Sequence, residues 1–523
     1  MTQSEDILSG IQRNRIFTGI CLALLPTAFT FVLVSNILQQ LKTEFLLTNA
    51  QVGYIGGAAL WGMALSLLLI GPTLEKIGFK TSVRGAFVAH LSGVTLFLAA
   101  YGFAGASYAF WILFLGAVGF GLGNGLIEVV GNNLTAALFP DNMTTKLNHF
   151  HAFFPGGMVF GGVLGWAMVQ VGTLGGISIG HWSVQIAIVY IPVLIYGYLL
   201  LPVKFPPTLV SEAGIPIKEM FKYTFTHPLV WGLIILKMIT LSLELGPGRW
   251  IPEVLQAAGV HGILVFAWIS GIMMLLRFFA GPFVEKLSPP GMLFAGSLLT
   301  GIGLLLFAFF ESGLLILMIA ATVYAAGIAF HFPTMVGLMS ERFPRAGSLG
   351  IVLLMGMGFF GAGASNAIMG GIADQYLPDA LDEQKTVQIL QEIDQRFPEY
   401  IAIAEQAEGD PQQIQELGYT RTDLQNILSQ AEQALAYYEQ NGEFDSDHTP
   451  EALRALLDAA ISQESELTDR AFAVLRPADN YGGRMSILYI SPAAFLLALI
   501  FLGVYINDKR KGGYKVEKLH KDQ

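Results

Sequence analysis

The sequence predicts an all-α membrane protein with twelve transmembrane helices arranged as two related sets of six. Of its 523 residues, 53% are apolar and only 13% are charged, which is too hydrophobic a composition for a soluble protein of this length. Apolar stretches of roughly 20 residues, the length that crosses a bilayer as a helix, recur along the chain. Short motifs also repeat at offsets of 204 to 210 residues, which predicts a duplicated unit.

The predicted spans follow one another through short polar loops, except before the last span. The first six lie near residues 16–40, 50–72, 82–104, 108–138, 147–172 and 181–202. The second six lie near residues 229–250, 260–284, 291–310, 313–341, 347–373 and 485–506. No cleavable signal peptide is predicted, because the first apolar run is too long for one and no cleavage pattern follows it.

Basic residues predict the orientation of the spans. Outside the insertion described below, most Lys and Arg between the spans fall in the loops on one side of a twelve-span arrangement and in the tail 509–521, and the positive-inside rule identifies that side as cytoplasmic. We therefore expect a multi-pass protein of the plasma membrane, the bacterial inner membrane, with both termini in the cytoplasm. The predicted parts are an N-terminal six-helix bundle (1–203), a cytoplasmic linker (204–228), helices 7 to 11 (229–373), an external insertion (374–484), and helix 12 with a basic tail (485–523).

The insertion between the last two spans differs in composition from the rest of the chain. Residues 374–484 hold 23 acidic and 7 basic residues, a net charge of −16, whereas the other residues are net +6 within the total of −10. An apolar stripe in this segment predicts an amphipathic helix and is formed by Leu424, Ile427, Leu428, Ala431 and Leu435. We expect a small helical cap on the external side, without a catalytic constellation.

The fourth span contains an acid, Glu128, within a long apolar run. Asn124 and Asn132 lie four residues before and after it, so helical periodicity places all three on one face. A carboxylate deep in a membrane helix costs at least roughly 2.5–3.5 kcal/mol, so such a group usually faces a cavity and marks a transport route. The alternative is a structural Glu satisfied by neighbouring helices. In the fifth span Gly157, Gly161 and Gly165 predict a face for close helix packing.

Three pairs of motifs indicate that the two sets of spans are related. GPTLEKIGFK at 71–80 corresponds to GPFVEKLSPP at 281–290, and LFP at 138–140 corresponds to RFP at 342–344. FFPGG at 153 and FFGAG at 359 form the third pair. Related halves with a solute site between them, near the bilayer midplane, are typical of transporters.

GPTLEKIGFK resembles the loop motif of the major facilitator superfamily, G-x-x-x-D-[RK]-x-G-[RK]-[RK], with Glu75 where Asp is usual. The resemblance implies the fold of that superfamily, in which this loop bridges the halves on the cytoplasmic side. An acid that pairs with bases at helix ends can form its contacts in one state and lose them in the other. The expected gating residues are Glu75, Lys76, Lys80, Arg277 and Glu285.

The segments IEVVGNNL and KLNHFHAFFPGG resemble the fourth and fifth helices of the fucose:proton symporter group of sugar transporters, LE-x-x-x-NP and RLN-x-x-Q-x-F-x-x-x-G. LTNAQVG (47–53) and RFFAGPFVEKLSP (277–289) match the same group, so the resemblance spans nearly all twelve helices. It implies that Glu128 is the proton-linked acid, followed by Asn132, and that Asn148 and His151 contact the solute. The place of an aspartate found on the first helix of some members falls on Ser35 here.

The seventh span carries further polar residues beside a helix-breaking Gly-Pro-Gly. Glu244 stands where the sugar-transporter group has an acid or amide, so it either contacts sugar hydroxyls or pairs with Lys237 or Arg249. Trp250 either stacks on a sugar ring or anchors the span at the membrane interface.

Two later spans each hold one polar candidate. His331 in the tenth span could move protons near neutral pH. Asn366 in the eleventh either contacts solute or bonds a neighbouring helix. The complete set of solute-binding candidates is Asn124, Asn132, Asn133, Asn148, His151, Glu244, Trp250, His331 and Asn366.

These features predict a secondary active transporter that moves a small polar solute, a monosaccharide or related sugar, by alternating access. A proton, or else sodium, is the expected coupling ion, with Glu128 as the proton-linked residue. The alternatives are an efflux antiporter for amphipathic metabolites or drugs and a non-transporting receptor on the same fold. We expect no enzymatic activity, cofactor, metal site or nucleic-acid partner, and a monomer in the lipid bilayer. A single cysteine, Cys21, excludes a disulfide within the chain.

Overall fold

The computed structural model is helical throughout its described part, apart from one short hairpin. It describes residues 10–45, 47, 49–104, 106, 108–248, 251, 262–310, 313–406, 419–459, 461 and 464–517. The hairpin pairs β1 (Thr173–Leu174) with β2 (Ile177–Ser178) in antiparallel fashion.

The first half of the molecule contains seven helices. They are α1 (Gly10–Phe45), α2 (Asn49–Leu65), α3 (Leu74–Ala99), α4 (Ala109–Leu138), α5 (Met143–Val171), α6 (Trp182–Ala187) and α7 (Tyr190–Leu200). One π-helical turn (Ser66–Ile70) and one 3-10 turn (Gly71–Thr73) join α2 to α3, and a 3-10 turn (Ala100–Phe103) follows α3. Two short helices then form the linker, α8 (Leu209–Glu212) and α9 (Ile217–Thr226).

The second half begins with α10 (Pro228–Leu245). It continues through α11 (Gly262–Phe278), α12 (Ala280–Phe309), α13 (Leu314–Ile328), α14 (His331–Arg342) and α15 (Gly347–Tyr376). The insertion contributes α16 (Glu383–Gln406), α17 (Arg421–Asn441) and α18 (His448–Ala459), and the chain ends in α19 (Ser465–Arg510). Short 3-10 turns precede and follow α15, at Pro344–Ala346 and Pro378–Ala380.

The backbone repeats itself at the offsets found between the sequence motifs. Gly78 (φ 75°, ψ 163°) interrupts the helix that follows α2, and Ser288 (φ 59°, ψ 164°), 210 positions later, interrupts α12 in the same way. At an offset of 204, Phe139 (φ −135°, ψ 59°) and Phe343 (φ −129°, ψ 52°) end α4 and α14 with nearly the same conformation. The structure therefore has the duplicated construction that the motifs predict.

Ten stretches of the described residues are long and apolar enough to cross a membrane. They are Gln12–Leu38, Tyr54–Phe103, Ala109–Leu138, Met143–Val171, Trp182–Leu200, Pro228–Leu245, Ala280–Phe309, Leu314–Arg342, Pro344–Tyr376 and Ser465–Arg510. One of them, Tyr54–Phe103, has 50 residues. A straight helix of that length would extend about 75 Å, more than twice the roughly 30 Å of a bilayer core, and the break at Gly78 divides it.

The glycine-rich face predicted on α5 packs against α1. A Cβ added at Gly157 would lie 2.7 Å from the Cβ of Ala28, and one added at Gly165 would lie 2.8 Å from Leu33 Cδ2. Any larger residue at these positions would separate the two helices. This close contact fixes α5, which carries His151, against the centre of the first half.

The insertion is a helical cap with a hydrophobic core of its own. Leu424, Ile427 and Ala431 of the predicted stripe are buried in that core, and Leu428 and Leu435 pack against it. The predicted boundary at 484 between insertion and last span is not a break, because α19 continues as one helix across it. The apolar residues at the start of α19, including Leu467, belong to the core of the cap. The last transmembrane helix thus supplies one wall of the cap.

The first and last described residues of the chain, near Gln12 and Asp508, and the linker lie at the end of the bundle that holds Gly78 and Ser288, hereafter the Gly78 end. Gln12 donates a hydrogen bond to the carbonyl of Lys204, and the side chain of Arg342 pairs with Asp508 near the end of α19. The cap lies at the opposite end, where α15 leads into it and α19 leads out of it.

Candidate functional site

Glu128 on α4 is buried, with 4% of its surface exposed, and is linked to α5 through Asn132. The amide nitrogen of Asn132 donates hydrogen bonds to the carbonyl oxygen of Glu128 and to its Oε2, both at 2.8 Å. The Nε2 atom of His151 lies 2.8 Å from Asn132 Oδ1. Because an amide oxygen only accepts, this imidazole nitrogen carries a hydrogen. A chain of hydrogen bonds therefore runs from the ring of His151 to the carboxylate of Glu128.

Arg277 on α11 is 2% exposed and connects several elements around this chain. Its guanidinium donates to the carbonyl of Ala329 at 2.6 Å and to the carbonyl of His151 at 3.1 Å. A third nitrogen pairs with Glu244 Oε1 on α10 at 3.4 Å. The hydroxyl of Tyr324 donates to the backbone carbonyl of Glu244 at 2.9 Å. Glu244 therefore forms an ion pair with Arg277, a partner that the sequence analysis did not name, since it considered Lys237 and Arg249.

Lys237 on α10 is completely buried and lies in the same region. Its ammonium nitrogen is 3.4 Å from the centroid of the Phe332 ring, and no hydrogen-bond partner for it occurs among the described residues. The ring of Phe332 also packs against His151, with centroids 4.8 Å apart. Phe332 occupies the position in the second half that corresponds to Glu128 in the first. The second half thus has an aromatic ring at the position of the acid, with the ammonium of Lys237 over its face.

Four ionisable side chains form what we call the central charge cluster: Glu128, Lys237, Glu244 and Arg277. Lys237 and Arg277 both interact electrostatically with Glu128, and Lys237 also interacts with Glu244. Two acids and two bases give a net charge of zero when all four are ionised. The cluster draws on both halves of the molecule, and solvent hardly reaches any of its members in this conformation.

Two of the predicted solute-binding asparagines lie apart from this cluster. The side chain of Asn124 bonds to His90 Nε2 at 2.9 Å and to Thr30 Oγ1 at 3.1 Å, inside the first half. Asn133 donates to the carbonyl of Val129 and lines a cleft at the Gly78 end together with Glu75. Helical spacing predicts that Asn124 shares the face of Glu128, but the hydrogen bonds of Asn124 go to neighbouring helices of its own bundle.

The remaining predicted solute-binding residues are distributed over both halves. Asn148 donates to the carbonyl of Thr144 at 2.8 Å and to Thr334 Oγ1 at 3.4 Å, so it bridges α5 and α14. His331 is buried, with its Nε2 3.2 Å from Ser297 Oγ. Trp250 and the side chain of Asn366 lie outside the described residues.

The predicted gating residues separate into two locations. Glu75 accepts a hydrogen bond from Thr208 of the linker, at the Gly78 end. Lys76, Lys80 and Glu285 are exposed there. The prediction that Arg277 lies with these loop residues is wrong, because it is buried in the central charge cluster. Its position next to the GPFVEKLSPP motif in the sequence does not bring it to the loop, since the intervening helix carries it toward the centre.

The Gly78 end also holds a contact between the halves that the sequence analysis missed. Glu341 at the end of α14 accepts hydrogen bonds from the backbone nitrogen and hydroxyl of Thr144, at the start of α5. Its other oxygen accepts one from Tyr514 of the tail. An acid at the end of an apolar span was the available signal. Its partner could not be read from sequence, since the two residues are 197 positions apart.

The family is decided by a match over most of the chain. The sequence profile described as Major Facilitator Superfamily matches residues 19–365. The chain belongs to the major facilitator superfamily. It is accordingly a multi-pass membrane protein of a transporter family and not an enzyme, as the loop motif and the duplicated halves indicated.

Solved structures of the superfamily share the fold of this chain. FucP, the fucose:proton symporter of E. coli, in its outward conformation is 19% identical, with a TM-score of 0.57, covering 68% of this chain and 92% of FucP. The xylose transporter XylE of E. coli, in a partially occluded inward-open conformation, is 16% identical with a TM-score of 0.54, covering 68% of this chain and 90% of XylE. At these identities the likeness establishes the fold alone.

A sequence relative of known activity also matches. The gentisate transporter of Corynebacterium glutamicum is 27% identical over 240 residues, which is 44% of this chain and 51% of the relative. The chain therefore spans about half the length of the curated relative that it matches.

Proposed function

We propose that this superfamily member is a proton-coupled symporter for a small polar solute, with Glu128 as the proton-binding residue. The observation that carries the proposal is the burial of Glu128 between the halves, hydrogen-bonded to Asn132 and facing Lys237 and Arg277. A carboxylate in such a place binds a proton at low energetic cost when the cations are engaged elsewhere, and it is charged when they are free.

The topology that fits this function has twelve spans. The break at Gly78 makes two spans of Tyr54–Phe103, and α11 with the first residues of α12, up to Ser288, makes another. These two additions to the ten apolar stretches give two sets of six. By the positive-inside rule the Gly78 end is cytoplasmic, as are both termini, and the cap is external.

Alternating access requires contacts that close one end of the bundle and can be broken. At the Gly78 end such contacts join Glu341 to Thr144 and Glu75 to Thr208. Midway along the bundle, next to His151 and Arg277, α5 meets α11 where the rings of Phe153 and Phe278 lie 5.6 Å apart. Glu75, Lys76, Lys80 and Glu285 are proposed to exchange partners at the cytoplasmic surface as the halves rock.

For the solute, a monosaccharide or related sugar is the first candidate. Asn148 and His151 stand where the sugar symporters carry their own polar residues, and both lie near the interface of the halves. Phe332 offers an apolar face beside these polar groups, a combination suited to a sugar ring. An organic acid is the second candidate, because one relative transports gentisate, a carboxylate, and Lys237 is a buried cation without a hydrogen-bond partner among the described residues.

The test is uptake into proteoliposomes of a panel of monosaccharides and small carboxylic acids, each with and without an inward proton gradient or sodium gradient. The proposal predicts accumulation of one solute class that requires the proton gradient. Accumulation that needs only sodium, or solute release driven by an inward proton gradient, would favour sodium coupling or efflux by antiport instead.

A further inference from the structure

Lys237 is a buried basic residue to which the described part of the chain offers no hydrogen bond. Its ammonium group is completely buried and forms no hydrogen bond within the described structure, and its nearest partner is the face of Phe332. A buried ammonium of this kind is unfavourable unless a counter-charge reaches it. The opposite charges nearby, Glu244 and Glu128, are engaged by Arg277 and Asn132. When Lys237 is protonated, its ammonium group is therefore available to a further anion.

The charge balance of the central charge cluster specifies what that partner is. With Glu128 ionised, the two acids and two bases cancel. When Glu128 takes up a proton, the cluster keeps Glu244 paired with Arg277 and is left with one positive charge, on Lys237. A single negative charge restores neutrality. A solute that carries one carboxylate supplies this negative charge. It would bind together with the proton that Glu128 takes up.

We infer that Lys237 is the carboxylate-binding group of the transport site, so that the solute is a monoanionic organic acid. This inference rests on the proposed function, since it uses the protonation of Glu128. Phe332 would contact the apolar body of the acid. Asn148 and His151, on the facing helix α5, would form hydrogen bonds with its hydroxyl groups. The unit that moves is then one proton and one monoanion, which together carry no net charge.

The arrangement also explains why proton and solute would bind together. An anion entering while Glu128 is ionised would leave the buried cluster with an unpaired negative charge, and a proton binding alone would leave it positive. Either single occupancy is disfavoured in a site that water hardly reaches. The site would therefore change its exposure from one side of the membrane to the other with both ligands bound or with neither, as symport requires.

The experiment uses matched pairs that differ only in the carboxylate: glucuronate with glucose, galacturonate with galactose, and gentisate with gentisyl alcohol. Ligand-induced stabilisation of the purified full-length protein is measured for the native chain, for Lys237→Met and for Lys286→Met, which changes an exposed lysine of α12 near the Gly78 end. We expect an acid of at least one pair to bind and its neutral partner to bind at least tenfold more weakly. Lys237→Met should weaken the binding of that acid by roughly 10- to 100-fold. Lys286→Met should match the native chain.

A second measurement does not depend on finding the ligand. Met has nearly the shape of Lys without its charge, so Lys237→Met should unfold without ligand at the same temperature as the native chain or a higher one. A markedly lower unfolding temperature would show that the ammonium is held by the protein itself and would overturn the inference. So would equal binding of acids and neutral partners, or the absence of binding by any acid.

Transport separates this inference from the proposed function. Proton-driven uptake of a neutral sugar that is unchanged in Lys237→Met overturns the carboxylate assignment and leaves proton coupling intact. If an acid binds in a way that depends on Lys237 but its uptake is independent of the proton gradient, the carboxylate assignment is supported and the proposed proton coupling is overturned.

Discussion

The carboxylate of Glu341 holds the first turn of α5 through Thr144. Its Oε1 accepts a hydrogen bond of 3.1 Å from the backbone nitrogen of Thr144 and one of 2.9 Å from its hydroxyl. An anion at a helix N-terminus is favoured by the unpaired backbone N–H groups and the helix dipole. Glu341 belongs to the second half and Thr144 to the first, and Tyr514 of the tail bonds to the other oxygen at 2.7 Å. One buried carboxylate therefore joins both halves and the tail.

Replacing Glu341 with Gln should open the Gly78 end. The change removes the charge from hydrogen bonds that are worth about 1.5–3 kcal/mol each, so the population open at this end should rise about tenfold or more. The measurement is the rate of thiol labelling of Ser348→Cys, a buried position lining the cleft, in a Cys21→Ala background. Glu517→Gln is the control, because residue 517 contacts Glu341 through its backbone nitrogen only. Equal labelling in all variants would contradict a closing role for Glu341.

Breaking the ion pair between Arg277 and Glu244 from one side should destabilise the protein strongly. Arg277→Met leaves a carboxylate buried without its partner, which typically costs about 3–5 kcal/mol. The double variant Arg277→Met/Glu244→Leu removes both charges and should recover part of the loss. Recovery should be incomplete, because Arg277 also bonds the carbonyls of Ala329 and His151. Unfolding temperatures of the purified variants provide the measurement, and strictly additive effects would show that the two residues do not interact.

The fold followed from the sequence wherever a pattern is local. The break at Gly78 and its copy at Ser288 were visible as two similar motifs, because backbone geometry at a turn depends on residues next to it. The length of α19 was not visible, since its outer turns are polar on one side and join the core of the cap instead of the membrane. Loss of hydrophobicity at Arg484 marks the edge of the apolar region and not the end of the helix.

The candidate site was predictable in part for the same reason. Glu128 and Asn132 are one turn apart on a single helix, so their contact follows from helical spacing. The pairing of Arg277 with Glu244 and the placement of Lys237 over Phe332 depend on how separate helices are rotated. Proximity to the loop motif suggested a surface role for Arg277, yet it lies eleven residues before Ser288, about 16 Å along a helix.

The cap should be dispensable for folding of the bundle. Its buried residues form a separate core running from Leu377 to Ala478, distinct from the core of the spans. Replacing residues 378–480 with a short Gly/Ser linker should therefore give a membrane-inserted protein, since the loop to be closed is short and joins neighbouring helices. Gel filtration and ligand-induced stabilisation test this expectation. A monodisperse deletion variant that binds no solute would show that the cap forms part of the site, as a lid over the external mouth.

Asp445 should stabilise the helical cap by accepting hydrogen bonds from the first two backbone N–H groups of α18. Burial alone would raise the pKa of Asp445, but hydrogen bonds from Thr449 and from the backbone of His448 outweigh burial and leave the pKa below its ordinary value. Asp445→Ala should cost about 1 kcal/mol and speed amide exchange in 448–459 about fivefold at pH 7. Asp447→Ala, at an exposed position, is the control.

The sign of the pH effect follows from the lowered pKa. Asp445 contributes its stability at any pH above the pKa of an unfolded Asp, about 3.9, and loses it as the pH falls through the lower pKa of the folded cap. The difference in exchange between the native chain and Asp445→Ala, corrected for intrinsic rates, should therefore be constant from about pH 5 to 8 and shrink below about pH 4. A difference that persists in strong acid would assign the effect to packing.

The proposed coupling of solute movement to the proton gradient through Glu128 is tested most directly by Glu128→Gln in proteoliposomes. The amide keeps the shape of the side chain and its contact with Asn132 but cannot bind and release a proton. We predict that Glu128→Gln loses gradient-driven accumulation, while counterflow exchange of solute across the same membrane continues at a measurable rate. Accumulation by Glu128→Gln equal to that of the native chain would contradict a coupling role for Glu128.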